Sequence, residues 1–174
     1  MFKFKSKKTT HQRQGLLAKR NGQDFEELIE ISCRLCGWGW VKIPSGCKWV
    51  SGTRAIPVKT PFDFVLFNQG HSVYLDAKTV VDNAFSYSKI DDNQLKWLSH
   101  VERFDHVAGY LVNFSELNKT VFFSAKQLSS LQPRQSLKPD NGLLLGDNQR
   151  INIGGFNVLL QKTKETKGTT VATI

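Results

Sequence analysis

Two short apolar segments joined by a polar turn restrict the fold of this chain more than any other feature. FDFVLF (62–67) and SVYLDAK (72–78) each alternate between apolar and polar residues, and residues 68–70, Asn-Gln-Gly, lie between them. Period-two alternation on both sides of a turn predicts an antiparallel β-hairpin. The protein must therefore contain a sheet, and further elements have to cover its apolar face.

The segment before the hairpin predicts a helix followed by a strand. Asn21 can cap a helix that runs to about Cys36 and ends at Gly37. WGWVKIP (38–44) predicts the first strand, and a polar loop extends from there to about residue 59. Six residues of the helix share one inner face: Phe25, Leu28, Ile29, Ser32, Cys33 and Cys36.

The segment after the hairpin predicts a second helix, two strands and a third helix. Asp91 begins the second helix with Gln94 at capping-box spacing, and its core face holds Leu95, Leu98, Val101 and Trp97. Residues 106–114 and 120–125 predict strands, and 125–131 a short helix. This order predicts a single-domain α/β fold with a central mixed β-sheet flanked by helices.

The charge of the chain indicates its class of partner. The 174 residues include 24 Lys and Arg against 15 Asp and Glu, a net charge of +9. Such a basic protein favours polyanions, nucleic acid first, although a soluble protein can also simply be basic. We expect a basic N-terminal arm (1–20), a folded domain (21–160) and a polar C-terminal tail (161–174). No apolar run is long enough to cross a membrane and no signal peptide is recognisable, so we expect a cytoplasmic protein.

Three acids and a lysine are the candidate catalytic and metal-binding residues. Asp76 and Lys78 are two residues apart on one strand, so their side chains share a face, and Asp63 can meet Asp76 across the hairpin. Glu26, on the edge of the first helix's apolar face, could add a third carboxylate. Such oxygens suit Mg²⁺ or Mn²⁺, and a nearby lysine can orient or deprotonate a water. The pattern fits phosphodiester hydrolysis, but a structural Asp–Lys pair also explains it.

The same residues resemble the motif of the PD-(D/E)XK nuclease superfamily. PFD (61–63) followed by YLDAK (74–78) resembles its Asp and Asp-x-Lys elements, in the order helix, strand, strand, helix. More narrowly, GQDFE (22–26), DAKT (76–79) and FSYSKIDDNQL (85–95) resemble the RecU and Hjc types of Holliday junction resolvase. The resemblance covers about residues 20 to 130.

The resemblance implies a restriction-endonuclease-like core and a set of site residues. It implies metal ligation by Glu26, Asp63, Asp76 and Ala77, assistance from Lys78, and a place for Gln94 near the metal. The implied activity is Mg²⁺- or Mn²⁺-dependent cleavage of four-way DNA junctions at paired positions by a homodimer, without a membrane or a small-molecule cofactor. A restriction- or repair-type nuclease for duplex DNA, or an inactive DNA-binding module, are the alternatives.

The chain departs from the RecU pattern at three positions. Asp76 replaces the usual Glu, Asn93 replaces a His, and Phe62 replaces a Thr, which affects the substrate preference more than the chemistry. RecU proteins carry a stalk between their first strands, and the short basic loop from Lys48 to Lys59 lies at that position.

Basic residues in three regions are candidate phosphate contacts, with a solvated surface as the alternative. They are Lys3, Lys5, Lys7, Lys8, Arg13, Lys19, Arg20, Lys48, Arg54, Lys59, Lys89 and Lys96. Trp38, Trp40, Trp49 and Trp97 could stack on unpaired bases, although core or dimer contacts are the better prediction for Trp38 and Trp97.

Two further groups have a plain structural interpretation. Cys33, Cys36 and Cys47 suggest zinc, but a structural zinc needs four ligands and His71 is the only histidine near enough in sequence. Cys33 and Cys36 also fit the inner face of the first helix as small apolar residues. Glu30 could replace Glu26 as a ligand, although pairing with Arg34 one turn later is favoured.

Overall fold

The computed structural model of the protein describes residues 10–44, 46–51, 54–58 and 60–161, with side chains described within 21–44 and 60–161. Ten strands form in this part of the chain: β1 (Gly39–Lys42), β2 (Gly46–Ser51), β3 (Arg54–Val58), β4 (Phe64–Asn68), β5 (His71–Val80), β6 (Phe85–Ser86), β7 (Val107–Phe114), β8 (Lys119–Ser124), β9 (Ser136–Leu137) and β10 (Leu143–Gly146). The α-helices α1 (Thr10–Cys36), α2 (Asp92–Glu102) and α3 (Ala125–Ser129) accompany them, and residues 156–161 are also helical.

A six-stranded sheet forms the centre of the molecule, in the order β1-β4-β5-β7-β8-β10. The predicted hairpin is β4 and β5, paired antiparallel from Phe64 opposite Leu75 to Asn68 opposite His71. β5 and β7 are parallel, and α2 provides the crossover between them that a parallel pair requires. The predicted central mixed sheet with flanking helices is confirmed.

Each face of this sheet covers its own apolar core. Phe64, Leu75 and Leu111 belong to the core under α1, and the inner face predicted for this helix is confirmed, with Ile29 and Cys33 fully buried. Tyr110 and Leu98 belong to the core under α2 and α3. Because side chains alternate along a strand, neighbouring residues of β5 serve opposite cores.

The first helix is longer than its sequence predicts. It begins at Thr10, so Asn21 lies inside the helix and the prediction that Asn21 caps it is wrong. Residues 10–20 contain Gln, Leu, Ala, Lys and Arg, which are strong helix formers, and one glycine does not stop the helix. The charge of this basic run predicts an arm, but the helix propensity of residues 10–20 determines their structure.

The segment predicted as a polar loop contains a second, two-stranded sheet. β2 and β3 pair antiparallel, from Gly46 opposite Val58 to Ser51 opposite Arg54. Trp49, Val50 and Ile56 supply the β-propensity that the charged residues obscured. Pro57 is tolerated because both strands of a two-stranded sheet are edges.

The second half of the fold follows the prediction closely and adds short elements. Asp91 caps α2, accepting hydrogen bonds from the backbone N–H groups of Asn93 and Gln94 at 2.9 and 3.3 Å. Of the predicted core residues of this helix, Leu98 is buried, whereas Trp97 is 49% exposed and is not a core residue. The short strands β6, β9 and β10 and the helical residues 156–161 have no counterpart in the prediction.

Candidate active site

Asp63 lies at the point where β4 begins, and its backbone is held from both sides. Its N–H donates to the carbonyl of Leu75 at 2.9 Å, and its carbonyl accepts from the N–H of Ile43 at 2.7 Å. Its carboxylate Oδ2 accepts from the N–H of Ala77 at 2.9 Å. The N–H and C=O of one strand residue point to the same side, so the Ala77 carbonyl also faces Asp63. The Asp63 carboxylate is therefore fixed beside β5.

Asp76 is a fully buried carboxylate on the face of β5 that α2 covers. Its exposed fraction is 0%, and neither carboxylate oxygen accepts a well-aligned hydrogen bond from the described residues, although the ammonium of Lys78 lies 2.5 Å from Oδ2. Burial raises the pKa of Asp76 to about 8; Lys78 opposes this shift and the neighbouring carboxylate of Asp63 adds to it. Such a group is costly to ionise unless a cation completes its surroundings.

Lys78 is held in place by three groups from separate elements. Besides its contact with Asp76, its Nζ donates a hydrogen bond to Oε1 of Gln94 at 3.0 Å and lies 5.4 Å from the ring centre of Tyr110. Gln94 was predicted either to lie at the site or to complete a capping box with Asp91. In the structure the Gln94 side chain accepts a hydrogen bond from Lys78, as expected for a residue that lies at the site.

Glu26 lies away from this group, on the other side of the sheet. Its carboxylate pairs with Lys42 of β1 at 3.0 Å, and Glu30 pairs with the same lysine at 3.2 Å. The favoured pairing of Glu30 with Arg34 is replaced by this contact, while Arg34 lies over the ring of Trp40. The reason is topological: α1 packs on one face of β5, and Asp76 points to the opposite face.

The residues present fit Mg²⁺ in a two-carboxylate site. Within the described residues, no group of three or more His, Cys, Asp or Glu side chains lies close enough together to hold a metal ion. Mg²⁺ usually keeps several waters and binds through one or two carboxylates and substrate phosphates. The oxygens of Asp76, which accept no aligned hydrogen bond, the carboxylate of Asp63 and the carbonyl of Ala77 match that chemistry. Glu26 adds no third carboxylate in this arrangement, because it pairs with Lys42.

The candidate zinc ligands do not assemble among the described residues. Cys33 is a buried free thiol whose pKa burial raises to about 12, and Cys36 is a partly buried free thiol beside the same core. His71 lies at the start of β5, and the side chain of Cys47 is outside the described residues. Both helix cysteines thus serve as small apolar side chains.

Most of the predicted phosphate contacts lie where side chains are not described. This holds for residues 1–20 and for the basic residues between 48 and 59. Lys89 forms an ion pair with Asp82 at 2.5 Å, and Lys96 is exposed on α2.

Two residues that contact the site residues were missed by sequence reasoning. Tyr110 lies directly opposite Asp76 in the parallel pairing of β5 with β7, and Lys42 contacts Glu26. The hydroxyl of Tyr110 accepts from the N–H of Asp91 at 3.2 Å and can donate to its carbonyl at 3.4 Å. Only the register of β7 against β5 could have revealed Tyr110, and a tyrosine within an otherwise apolar strand is a weak signal for it.

The fold is shared with a solved nuclease structure. The Holliday junction resolvase Hjc of the archaeon Archaeoglobus fulgidus superposes with a TM-score of 0.52 at 16% identity, over 71% of this chain and 95% of that chain. The bacterial homing endonuclease I-Ssp6803I gives a TM-score of 0.46 at 16% identity, over 87% of this chain and 97% of that chain. The comparison with curated proteins found no match.

The class defined by this fold is the restriction-endonuclease-like α/β domain. The family model of recombination protein U, RecU, matches residues 53–142, which is 90 of the 174 residues. The chain belongs to the RecU family. The matched region includes Asp63, Asp76, Lys78 and Gln94 and leaves out Glu26, so the family match falls on the residues that the structure brings together.

Proposed function

We propose that the protein is a Mg²⁺-dependent DNA endonuclease that resolves four-way junctions by paired phosphodiester hydrolysis. The observation that carries this proposal is the Asp76 carboxylate, which is fully buried, has no aligned hydrogen bond and lies beside Lys78 and Asp63. A purely structural Asp–Lys pair would be expected to satisfy its remaining oxygen with backbone or side-chain donors. RecU family membership supports the junction as the substrate.

Each residue has a distinct role in this proposal. Asp63, Asp76 and the carbonyl of Ala77 would hold Mg²⁺ (or Mn²⁺), which when bound would polarise a phosphoryl oxygen and lower the pKa of a water. Lys78 is placed by Asp76 and Gln94 so that its ammonium can orient the attacking water or stabilise negative charge on the phosphate. Gln94 prevents Lys78 from turning away from the site.

The partner proposed is branched DNA, bound mainly through its phosphates. The net charge of +9 supplies the electrostatic attraction. The basic residues of the arm and of the β2–β3 hairpin are the proposed contacts, together with Lys89 and Lys96. We further propose a homodimer, because one chain carries a single set of site residues and a four-way junction requires two matched cuts.

A site of action in the cytoplasm accords with DNA as the substrate. Among the described residues, no helix is long and apolar enough to cross a membrane.

The decisive experiment separates binding from cleavage. Asp63→Asn and Asp76→Asn remove proposed metal ligands and leave the basic surface intact. On a synthetic four-way junction in Mg²⁺, we expect cleavage to fall by at least 100-fold while affinity for the junction stays within about threefold. Glu116→Gln, an exposed acid outside the site and away from the proposed phosphate contacts, is the matched control. A site variant that cuts near the wild-type rate would refute the metal assignment.

The same assay distinguishes the alternatives. A restriction- or repair-type nuclease would cut a linear duplex of matched sequence as fast as the junction. An inactive DNA-binding module would bind the junction, leave it intact and give no heat in a Mg²⁺ titration by calorimetry. The proposal requires cleavage of the junction in preference to the duplex.

A further inference from the structure

A short two-stranded sheet lies beside the candidate active site. β6 and β9 pair antiparallel, with Phe85 opposite Leu137 and Ser86 opposite Ser136. Phe85 and Leu137 belong to the core under α2 and α3. Because side chains alternate along a strand, Ser86 and Ser136 lie on the opposite face. The face turned away from the core therefore carries two hydroxyl groups next to each other.

One aromatic ring separates this short sheet from Lys78. The Nζ of Lys78 lies 5.4 Å from the ring centre of Tyr110, and the ring centres of Tyr110 and Phe85 are 5.8 Å apart in an edge-to-face contact. The N–H of Tyr87 also donates to the carbonyl of Gln135 at 3.0 Å, which holds the turn before β9 against the segment that follows β6. Both short strands therefore have a defined position beside the candidate active site.

The two segments that form this sheet are basic. Residues 83–90 and 126–138 contain four Lys or Arg residues and neither Asp nor Glu: Lys89, Lys126, Arg134 and Lys138. Lys89 and Lys126 interact with acids outside these two ranges. Arg134 and Lys138 are exposed, and neither forms an ion pair within the described part of the chain. Their positive charges can therefore meet an external anion.

Arg134 occupies a turn position that ordinarily belongs to glycine. The N–H of Gln135 donates to the carbonyl of Gln132 at 3.0 Å, which closes a β-turn with Pro133 and Arg134 at its centre. A proline followed by a residue with a φ of 72° defines a type II turn, in which a side chain at the second central position is strained. Strain of this kind is typical of residues that take part in binding or catalysis.

We propose that Arg134, Lys138, Ser86 and Ser136 bind the phosphate backbone of a DNA arm as it leaves the active site. We call these four residues the β6–β9 surface. Arginine, lysine and serine side chains are common donors to phosphate oxygens, and such contacts position a duplex without reading its sequence. The inference deepens the proposed function and rests on it for DNA as the ligand. The surface itself rests on the strained arginine, the paired serines and the charge of the two segments.

The experiment measures binding of a synthetic four-way junction against salt concentration in EDTA, so that binding is observed without cleavage. Arg134→Gly removes the guanidinium and the strain together, whereas Arg134→Lys keeps a positive charge at the turn. We expect Arg134→Gly to flatten the log-log slope by about 0.9, the value for one phosphate contact, and to weaken binding roughly eightfold at about 0.1 M salt. Arg134→Lys should keep the slope of the wild type.

Arg150→Ala is the matched control. It removes an exposed arginine that lines a surface pocket together with Cys36, at the C-terminal end of α1. This variant loses the same charge as Arg134→Gly and should keep the slope of the wild type. An unchanged slope for Arg134→Gly, or an equal change for Arg150→Ala, would overturn the β6–β9 surface and leave the proposed function standing.

Urea unfolding distinguishes a DNA contact from a structural role of the same arginine. The unfolding midpoint of Arg134→Gly should be no lower than that of the wild type, because glycine adopts a φ of 72° without strain. A lower midpoint would show that Arg134 stabilises its own turn and would overturn the proposal. A wild-type protein that binds the junction through this surface but does not cut it in Mg²⁺ would refute the proposed function and leave the surface standing.

Discussion

The substitution Asp76→Asn should stabilise the metal-free protein, and the gain should grow with pH. The folded pKa of Asp76 is about 8, against a usual value of 3.8, because the carboxyl is buried. Between these two pH values the carboxyl of Asp76 is protonated in the folded chain and ionised in the unfolded chain. The free energy of unfolding is therefore greatest below about pH 4 and falls as pH rises toward 8. Asparagine has nearly the same shape but does not ionise, so the variant escapes this decline.

The size of the effect follows from the pKa difference. pH 7 lies about three units above the pKa of Asp76 in the unfolded chain, and each unit corresponds to about 1.36 kcal/mol. Asp76→Asn should therefore raise the free energy of unfolding at pH 7 by an amount on the order of 4 kcal/mol. At pH 4 the gain should vanish. No discount for solvent applies, because Asp76 is fully buried.

Urea unfolding in EDTA at pH 4, 5, 6, 7 and 8 measures this difference directly. The free energies of the wild type and Asp76→Asn should separate steadily as pH rises. Asp82→Asn is the control: the ion pair with Lys89 lowers the pKa of the exposed Asp82, so this variant should gain nothing at high pH. Parallel curves for the wild type and Asp76→Asn would show that Asp76 stays ionised in the fold and that Lys78 offsets the cost of its burial.

Two further predictions concern other parts of the molecule. Tyr110→Phe removes the hydroxyl that bonds the backbone of Asp91 and should cost about 1 kcal/mol in urea unfolding. Asp91 caps the helix that carries Gln94, so Tyr110→Phe should also slow junction cleavage while the affinity for the junction stays unchanged. The control Tyr74→Phe should change neither the stability nor the cleavage rate. An unchanged cleavage rate for Tyr110→Phe would exclude a positioning role for Tyr110. Neutralising the four lysines of the arm should flatten the salt dependence of DNA binding by about 0.9 in log-log slope for each lost phosphate contact, and an unchanged slope would show that the arm does not touch DNA. These lysines are Lys3, Lys5, Lys7 and Lys8.

The hairpin and the Asp76–Lys78 pair could be predicted because they depend on local pattern. Alternation with period two identifies a half-buried strand, and it places residues 76 and 78 on one face whatever the rest of the chain does. The cap at Asp91 is equally local, since one side chain satisfies the first N–H groups of its own helix.

The parts that failed depend on information that a local pattern does not contain. The place of Glu26 on the edge of the helix's apolar face, together with the resemblance, predicts a third carboxylate near Asp76. Its neighbours depend instead on the face of the sheet on which α1 packs, and there it pairs with Lys42. Tyr110 reaches Lys78 only through the register of two strands separated by a helix. The helical start at Thr10 was missed because charge was given more weight than helix propensity.

β4 begins at Phe64, and this late start has a consequence for the edge of β5. β5 continues to Val80, yet its pairing with β4 stops at Leu75, which leaves the last residues of β5 beyond the end of their neighbour. These residues pair with β7 on one side only, and an edge without a partner strand is a place where a foreign strand can add and begin aggregation. Asp63 blocks the first position of this stretch, because its carboxylate occupies the N–H of Ala77 and brings a charge to it. Replacing Asp63 by a small apolar residue should therefore favour strand-mediated self-association, so the carboxylate proposed as a metal ligand would also protect this edge.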